Sequence, residues 1–236
     1  VAHPHERALF DSSVALLAAL SAMPLSVRSA FSGSLMDMAL GMESEIAAEK
    51  TRPPRWERSS QDFDHYCYTV AGTVGVFLTQ LFWDEQAFVP SKTLTELEKL
   101  GESFGKALQI VNITKDFHQD WKEGRCYWTR VLSPGGVGTV PPTAEELGVA
   151  LEFLARSFEK HRVNARAYID AISPKRNDVK FFCDFPLQMA ERTMALALDD
   201  RSWLGSGASP KVSKTDTLLL VQKLSLVYAL SKIWKD

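Results

Sequence analysis

Cysteine is scarce in this chain. Cys67, Cys126 and Cys183 are the only three, far apart, with no CxxC pair. That odd count argues against a disulfide scaffold or a structural zinc site and suits a reducing compartment. An excess of charge of one sign is lacking as well. With 27 Lys+Arg against 29 Asp+Glu, the formal net charge is -2, which excludes a nucleic-acid binder working by bulk charge. No stretch reads as a conventional membrane span. The most apolar stretch near an end, 218–234, is interrupted by Gln222, Lys223 and Lys232, whereas a span needs about 20 predominantly apolar residues. The same stretch suits peripheral contact with a membrane surface, so the expected location is the cytoplasm or the cytoplasmic face of a membrane. The opening residues Val1–Glu6 carry neither an initiator Met nor a signal-peptide pattern, and read as a start inside a longer protein.

Alternating strand patterns and internal repeats are also missing. What remains is helical. Glycine and proline, 13 and 11 in number, cluster at Pro53-Pro54, from Pro134-Gly135-Gly136 to Pro141-Pro142, at Pro174, and from Gly205 to Pro210. Between these breaks the apolar residues recur at helical spacing. In 143–172, Leu147, Leu151, Leu154, Phe158, Ala165, Tyr168 and Ile172 stand at three- and four-residue steps or their sums. Thr143 with Glu146 forms a capping box ahead of them, and Pro174 follows the end. Similar patterns predict helices near 6–21, 25–49, 62–82, 93–121, 179–198 and 214–234. With 45% hydrophobic residues the chain has enough apolar surface to exclude disorder. The expectation is an all-α fold of about seven helices, with 1–236 as a single domain.

Two of these helices carry chemistry that a core helix does not need. On 108–120, Gln109, Asn112, Asp116 and Asp120 are three, four and four residues apart and share one polar stripe. Leu108, Ile110, Val111, Ile113 and Phe117 surround it and should bury the helix. Two carboxylates one turn apart repel by roughly 0.2–0.5 kcal/mol even when exposed, and buried polar groups need partners. A divalent cation removes that repulsion; two oxygen ligands with waters and a substrate phosphate is a common way of holding Mg²⁺. The same spacing also fits a solvated helix end, with Asp120 facing water and Asp116 paired to Lys115 or Arg125. Both readings stay open on spacing alone.

On 64–77, Gly72 and Gly75 each cost roughly 1 kcal/mol of helix propensity relative to alanine. Either very close helix packing or a bulky ligand against that face must compensate. Tyr66, Val70 and Thr73 share the neighbouring stripe, so an aromatic hydroxyl would look along a smooth apolar groove. Tyr66 as an ordinary core tyrosine is the alternative. Further on, Pro186 in Phe181-Phe182-Cys183-Asp184-Phe185-Pro186 should kink the helix or end a turn, with Phe182 and Phe185 either lining an apolar tunnel or filling core. Lys211 and Lys214 fall in or near a loop, as solvated charges or as phosphate contacts.

Taken together these segments resemble the squalene/phytoene synthase family of head-to-head prenyl diphosphate synthases, and its squalene synthase branch most. Tyr66-Cys67-Tyr68-Thr69-Val70-Ala71-Gly72-Thr73-Val74-Gly75 resembles the family's YCxYVAGxVG helix. Gln109 through Asp120, continuing into Gly124-Arg125-Cys126-Tyr127-Trp128, resembles QxxNIxRDxxED…GRxxxP. Phe182-Cys183-Asp184-Phe185-Pro186 resembles an FCAIP segment, and Met36-Asp37 through Gly41-Met42 the helix preceding the tyrosine motif. The motifs run in the family's order from about residue 25 to 215.

The resemblance implies an isoprenoid-synthase-type helical bundle around a central apolar cavity, in which aspartate-rich helices bind Mg²⁺ and the diphosphates of two prenyl substrates. Carried over by position, Tyr66, Asp116 and Asp120 would be catalytic, and Asp116, Asp120 and Asn112 would hold metal. Val70, Gly72, Val74, Gln109, Asn112, Phe182 and Cys183 would bind substrate, with Lys115, Arg125, Lys211 and Lys214 as phosphate or cofactor contacts. The implied reaction condenses two farnesyl diphosphates through a cyclopropylcarbinyl diphosphate, followed by NADPH reduction to squalene. NADPH rests on the resemblance alone, since no dinucleotide fingerprint is present. Alternatives are phytoene-type condensation without reduction, a terpene-cyclising relative, or a non-catalytic binding or assembly protein of the same fold.

The roles make physical sense. A dication neutralises departing diphosphate, worth several kcal/mol. Aromatic faces attract the carbocation left behind, by roughly 2 kcal/mol or more when desolvated, and a dry cavity protects it from water. This sequence departs from the pattern at Lys115 (usually Arg), Gln119 (usually Glu) and Thr129 (usually Pro). The family's first aspartate-rich motif lies upstream of this chain's start, and Asp11 does not match it. The resemblance therefore implies a preceding segment or a separate N-terminal chain that supplies those carboxylates.

Overall fold

The computed structural model describes residues 4–51, 59–83, 88–89, 91–128 and 142–233. The Pro53-Pro54 and Pro134-Gly135-Gly136 breaks, Pro141, Thr129 and Trp234 lie outside them. In chain order the helices are α1 (Pro4–Asp11), α2 (Ser13–Ser21), α3 (Leu25–Thr51), α4 (Ser60–Cys67), a π turn (Tyr68–Gly72), α5 (Thr73–Phe82), α6 (Leu94–Lys122), α7 (Ala144–Ala171), α8 (Asn177–Asp199), α9 (Trp203–Ser206) and α10 (Lys214–Ile233). The only β-type pairing among the described residues is an isolated bridge between Phe88 and Ile172.

The long helices start where their side chains satisfy the free backbone amides. Thr143 accepts from the Glu146 amide while Glu146 receives the Thr143 amide, as the spacing predicts; Thr93 with Glu96 and Ser59 with Asp62 open α6 and α4 in the same way. α6 is the axis of the molecule and touches α4, the π turn, α5, α7 and α8. Ile110, Ile113, Phe117 and Trp121 on α6 interlock with Leu147, Leu151, Leu154 and Phe158 on α7. A second cluster gathers Leu97, Tyr168, Ile169, Ile172, Cys183 and Leu187 where α6, α7 and α8 meet.

Two expectations are modified. The helix near 6–21 breaks at Ser12, whose hydroxyl donates to the Ala8 carbonyl at 2.8 Å. The helix near 62–82 is interrupted by the π turn, where the Thr73 amide reaches the Tyr68 carbonyl five residues back; such a turn shifts the phase of everything after it and is common at functional sites. Pro186 sits inside α8, which runs through it to Asp199 as the pattern over 179–198 expects. Asp184 on α8 accepts from Arg166 Nη1 of α7 at 2.5 Å and Tyr228 Oη of α10 at 2.9 Å, and within α8 from Gln188 Nε2 at 3.0 Å. Along α2 and α3, Val14, Leu17, Leu25, Leu35, Met36 and Leu40 remain exposed.

One polar cluster ties α4 to α6 and α7. Lys106, buried on α6, bridges Asp64 and Glu102 at 2.7 Å each, and Asp64 also meets His161 Nε2 at 3.2 Å. The His161 and Lys106 bonds hold the Asp64 carboxyl well below the usual carboxylate range against its partial burial. A depressed carboxyl stabilises the fold above its unfolded pKa, about 4, and that contribution fades as pH falls toward the folded value. Asp64→Asn should therefore cost about 1 kcal/mol at pH 7, a figure discounted for its partial exposure. In urea titrations the deficit should shrink at pH 3; an equal deficit at both pH values would contradict this account.

Candidate active site

The cavity follows from two backbones that nearly touch. Ala71 and Gly75 face Gly105 and Gly101, four residues apart on each side. A Cβ on Gly75 would lie 1.9 Å from the Gly101 carbonyl oxygen, and one on Gly105 would lie 2.0 Å from that of Ala71. Close packing is thus the role of Gly75. Gly72 points elsewhere, toward the Tyr68 ring and the Glu102 and Lys106 stems, and does not line the cavity.

Beside this contact lies an apolar cavity of about 820 Å³. Val70 and Val74 line it from the π turn and α5, Leu108, Gln109 and Asn112 from α6, and Phe182, Cys183 and Pro186 from α8. Burial pushes the Cys183 thiol up to about 12, so it serves as apolar lining. Phe82 and Phe182 meet edge to face at one side, centroids 5.7 Å apart. Leu78, Phe82, Phe104, Tyr168, Phe181 and Phe185 complete the walls. Nothing in their spacing separates them from ordinary core; only the contact between helices does.

Gln109 and Asn112 also line a second, polar cleft of about 380 Å³, with Tyr66, Lys115, Asp116, Asp120, Arg125 and Tyr127. The cavity and the cleft thus share the two amides. In the cleft Lys115 pairs with Asp116, as one expectation had it. Arg125 pairs with Asp120, its Nη2 at 2.9 Å and Nε at 3.3 Å, and also with Glu123. Asp120 does not simply face water, as the solvated-end reading expected. Burial raises its carboxyl above the ordinary value, the Arg125 bond opposes this, and the negative charges of Asp116 and Glu123 add to the rise. Gln119 is exposed and bonds Glu123. Lys211 and Lys214 are exposed and outside the cleft, although Ser209 fastens their loop to the Lys115 carbonyl at 2.7 Å.

The donor set fits one face of an Mg²⁺ site. Asp116, Asp120 and the Asn112 amide are hard oxygen donors on successive turns of one helix, and a dication there would favour the charged form of the Asp120 carboxyl that burial disfavours. Among the described residues no group of three or more His, Cys, Asp or Glu could hold a metal ion alone, so substrate phosphate, water or further carboxylates must complete the coordination.

The all-α bundle is an isoprenoid-synthase fold. A solved squalene synthase–ligand complex superposes with a TM-score of 0.74 at 21% identity, covering 100% of this chain and 70% of that one. The model of the family squalene/phytoene synthase matches residues 9–215, and the chain belongs to that family, whose members are prenyl transferases. It is 31% identical over 167 residues to squalene synthase ERG9 of Saccharomyces cerevisiae, covering 69% of this chain and 36% of that protein. It is 30% identical over 140 residues to the squalene synthase of Schizosaccharomyces pombe, covering 57% and 30%. The matched stretch thus spans about a third of these relatives' length. No described helix is long and apolar enough to cross a membrane.

Proposed function

We propose that the chain carries the second half-site of a squalene-synthase-type enzyme, which joins two farnesyl diphosphates head to head through a cyclopropylcarbinyl diphosphate, with reduction by NADPH to squalene. One observation carries this reading: an apolar cavity of about 820 Å³ joined through Gln109 and Asn112 to a cleft bearing two carboxylates and two cations. A prenyl chain fits the first and a diphosphate the second. Bound Mg²⁺ would supply Lewis-acid neutralisation of the leaving diphosphate. Asp116, Asp120 and Asn112 would hold it; Lys115 and Arg125 would turn from their carboxylates toward the phosphate oxygens. Tyr66 lines the cleft rather than the cavity and would offer its ring to the cation left behind from that side, while the phenylalanine walls keep water away. The remaining carboxylates would come from a preceding segment or a separate N-terminal chain. The exposed apolar edge of α2 and α3 offers such a segment a surface.

A second reading rests on the Lys115–Asp116 and Arg125–Asp120 pairs, which already neutralise both carboxylates. It makes the chain a non-catalytic binding or assembly protein. The two separate by incubation with farnesyl diphosphate, Mg²⁺ and NADPH, with the chain alone and joined to the N-terminal segment of a relative. The enzyme reading expects a C30 hydrocarbon that requires both Mg²⁺ and NADPH. A C30 product without reductant would indicate phytoene-type condensation, and no prenyl product in either form would remove the enzyme reading.

A further inference from the structure

The reaction outlined above gives Tyr127 no role, yet its ring lies against that of Tyr66. The two are nearly parallel, with centroids 4.6 Å apart and planes inclined by 14°. Both line the polar cleft, and both line a small hollow with Gly41, Met42, Ile46 and Val70 between α3 and the π turn. Tyr66 thus sits between the polar cleft and this small hollow, and Tyr127 covers one face of it.

Tyr127 is carried by a strap, Glu123–Trp128, that leaves α6 just beyond the aspartates. The strap is fastened on both sides of Tyr127. Gly124 adopts φ +77, a left-handed conformation natural to glycine, and this turns the chain back on α6. The Arg125 amide then donates to the Asp120 carbonyl at 2.8 Å, while its guanidinium grips the Asp120 carboxylate. On the other side Trp128 is buried against Phe117 and donates its indole N–H to the Ile113 carbonyl at 2.9 Å. The backbone that carries Tyr127 is therefore anchored on one side by Arg125 and on the other by Trp128.

We infer that Tyr127 is a positioning residue for Tyr66, and that the strap couples the partner of the Asp120 carboxylate to the orientation of the Tyr66 ring. A ring at the end of a side chain with two free torsions needs a neighbour to fix its plane, and a near-parallel aromatic partner does so. A group acting on a short-lived cation must be held within a fraction of an ångström of its working position, since a misplacement of about 1 Å can cost about a hundredfold in rate. Any change of partner at Asp120 reaches Arg125 directly, and Tyr127 lies two residues further on. Occupation of the cleft by a metal–diphosphate pair would thus be felt at the tyrosine before the chemistry begins. The catalytic part of this inference rests on Tyr66 acting in the proposed reaction; the mechanical part does not.

The test uses the full chain with Tyr127→Phe and Tyr127→Ala, in two measurements. The first follows ¹³C-labelled tyrosine rings by NMR, with Tyr66 assigned from Tyr66→Phe, while Mg²⁺ and inorganic pyrophosphate are added. In the parent and in Tyr127→Phe the Tyr66 resonance should shift on addition. In Tyr127→Ala it should start from a different position, having lost the ring-current effect of the stack, and should respond little, although calorimetry still reports binding. The second measures turnover of farnesyl diphosphate in whichever form of the protein is active. Tyr127→Phe should stay within about twofold of the parent. Tyr127→Ala should lose about ten- to hundredfold in kcat with KM nearly unchanged. An identical Tyr66 response in parent and Tyr127→Ala overturns the coupling, and equal kcat overturns the positioning role. If no form turns over substrate, the proposed reaction fails, and the NMR comparison still decides whether the strap holds Tyr66.

Discussion

Asp116→Asn should abolish prenyl product formation while leaving the fold intact. Asparagine keeps the size and an oxygen ligand but removes one of two negative charges on the stripe proposed to hold the metal. If the Lewis-acid effect on the leaving diphosphate is worth several kcal/mol, its loss lowers turnover by about a thousandfold or more, at one factor of ten per 1.4 kcal/mol. Stability should barely change, because the lost Lys115–Asp116 pair is between partly exposed groups, 31% and 43% accessible, and such pairs contribute about 0–1 kcal/mol. Assay and thermal melt together decide the matter. A variant with parent-like turnover would remove Asp116 from the metal site; a variant that fails to fold would move it into the framework. Metal affinity gives an independent reading. Burial holds the Asp120 carboxyl above its ordinary value when no metal is bound, so protons compete with a dication for it, and Mg²⁺ affinity measured by calorimetry should fall as the pH is lowered.

What the sequence disclosed and what it withheld divide along physical lines. α7 was legible because its capping box, its apolar period and the proline after it are all local signals, and α6 disclosed its stripe of Gln109, Asn112, Asp116 and Asp120 because one helix carries all four. Pairings within the stripe were less accessible. Spacing allowed Arg125 to meet Asp116; the positive φ of Gly124 folds the chain back so that it meets Asp120 instead. The π turn was hidden because the spacing in 64–77 carries no signal for it; it shows only in the backbone, where the Thr73 amide reaches back to the Tyr68 carbonyl beside the close contact of Ala71 and Gly75 with α6. Phe82, Phe104 and Tyr168 look like core in sequence and become cavity walls only once α5, α6, α7 and α8 assemble around one space. Tyr127 stood within a recognised motif, but its meaning depends on a ring on another helix.

Where the π turn and α5 pack against α6, two elementary effects have opposite signs. By helix propensity alone, Gly105→Ala on α6 should stabilise the protein by up to about 1 kcal/mol. Sterically the new methyl carbon would lie 2.0 Å from the Ala71 carbonyl oxygen and 2.6 Å from its carbon. Ordinary contact begins near 3.4 Å, and neither atom belongs to a side chain that can rotate away. The two helix axes must part, loosening the packing between them, and overpacking of this kind costs about 1–3 kcal/mol. Sterics should win: Gly105→Ala should melt about 2–12 °C below the parent, at roughly 2–4 °C per kcal/mol for a chain of this size. Gly33→Ala on α3 is the control, because nothing lies within 4 Å of its added methyl; there propensity acts unopposed and the melting temperature should rise by about 1–4 °C. Ala71 and Gly105 also line the apolar cavity, so the methyl that separates the helices reshapes the space meant for the prenyl chain. Gly105→Ala should weaken binding of a non-hydrolysable farnesyl diphosphate analogue while Gly33→Ala leaves it unchanged. If both alanine variants melted above the parent, the close approach of α5 and α6, and with it the geometry of this cavity, would be wrong.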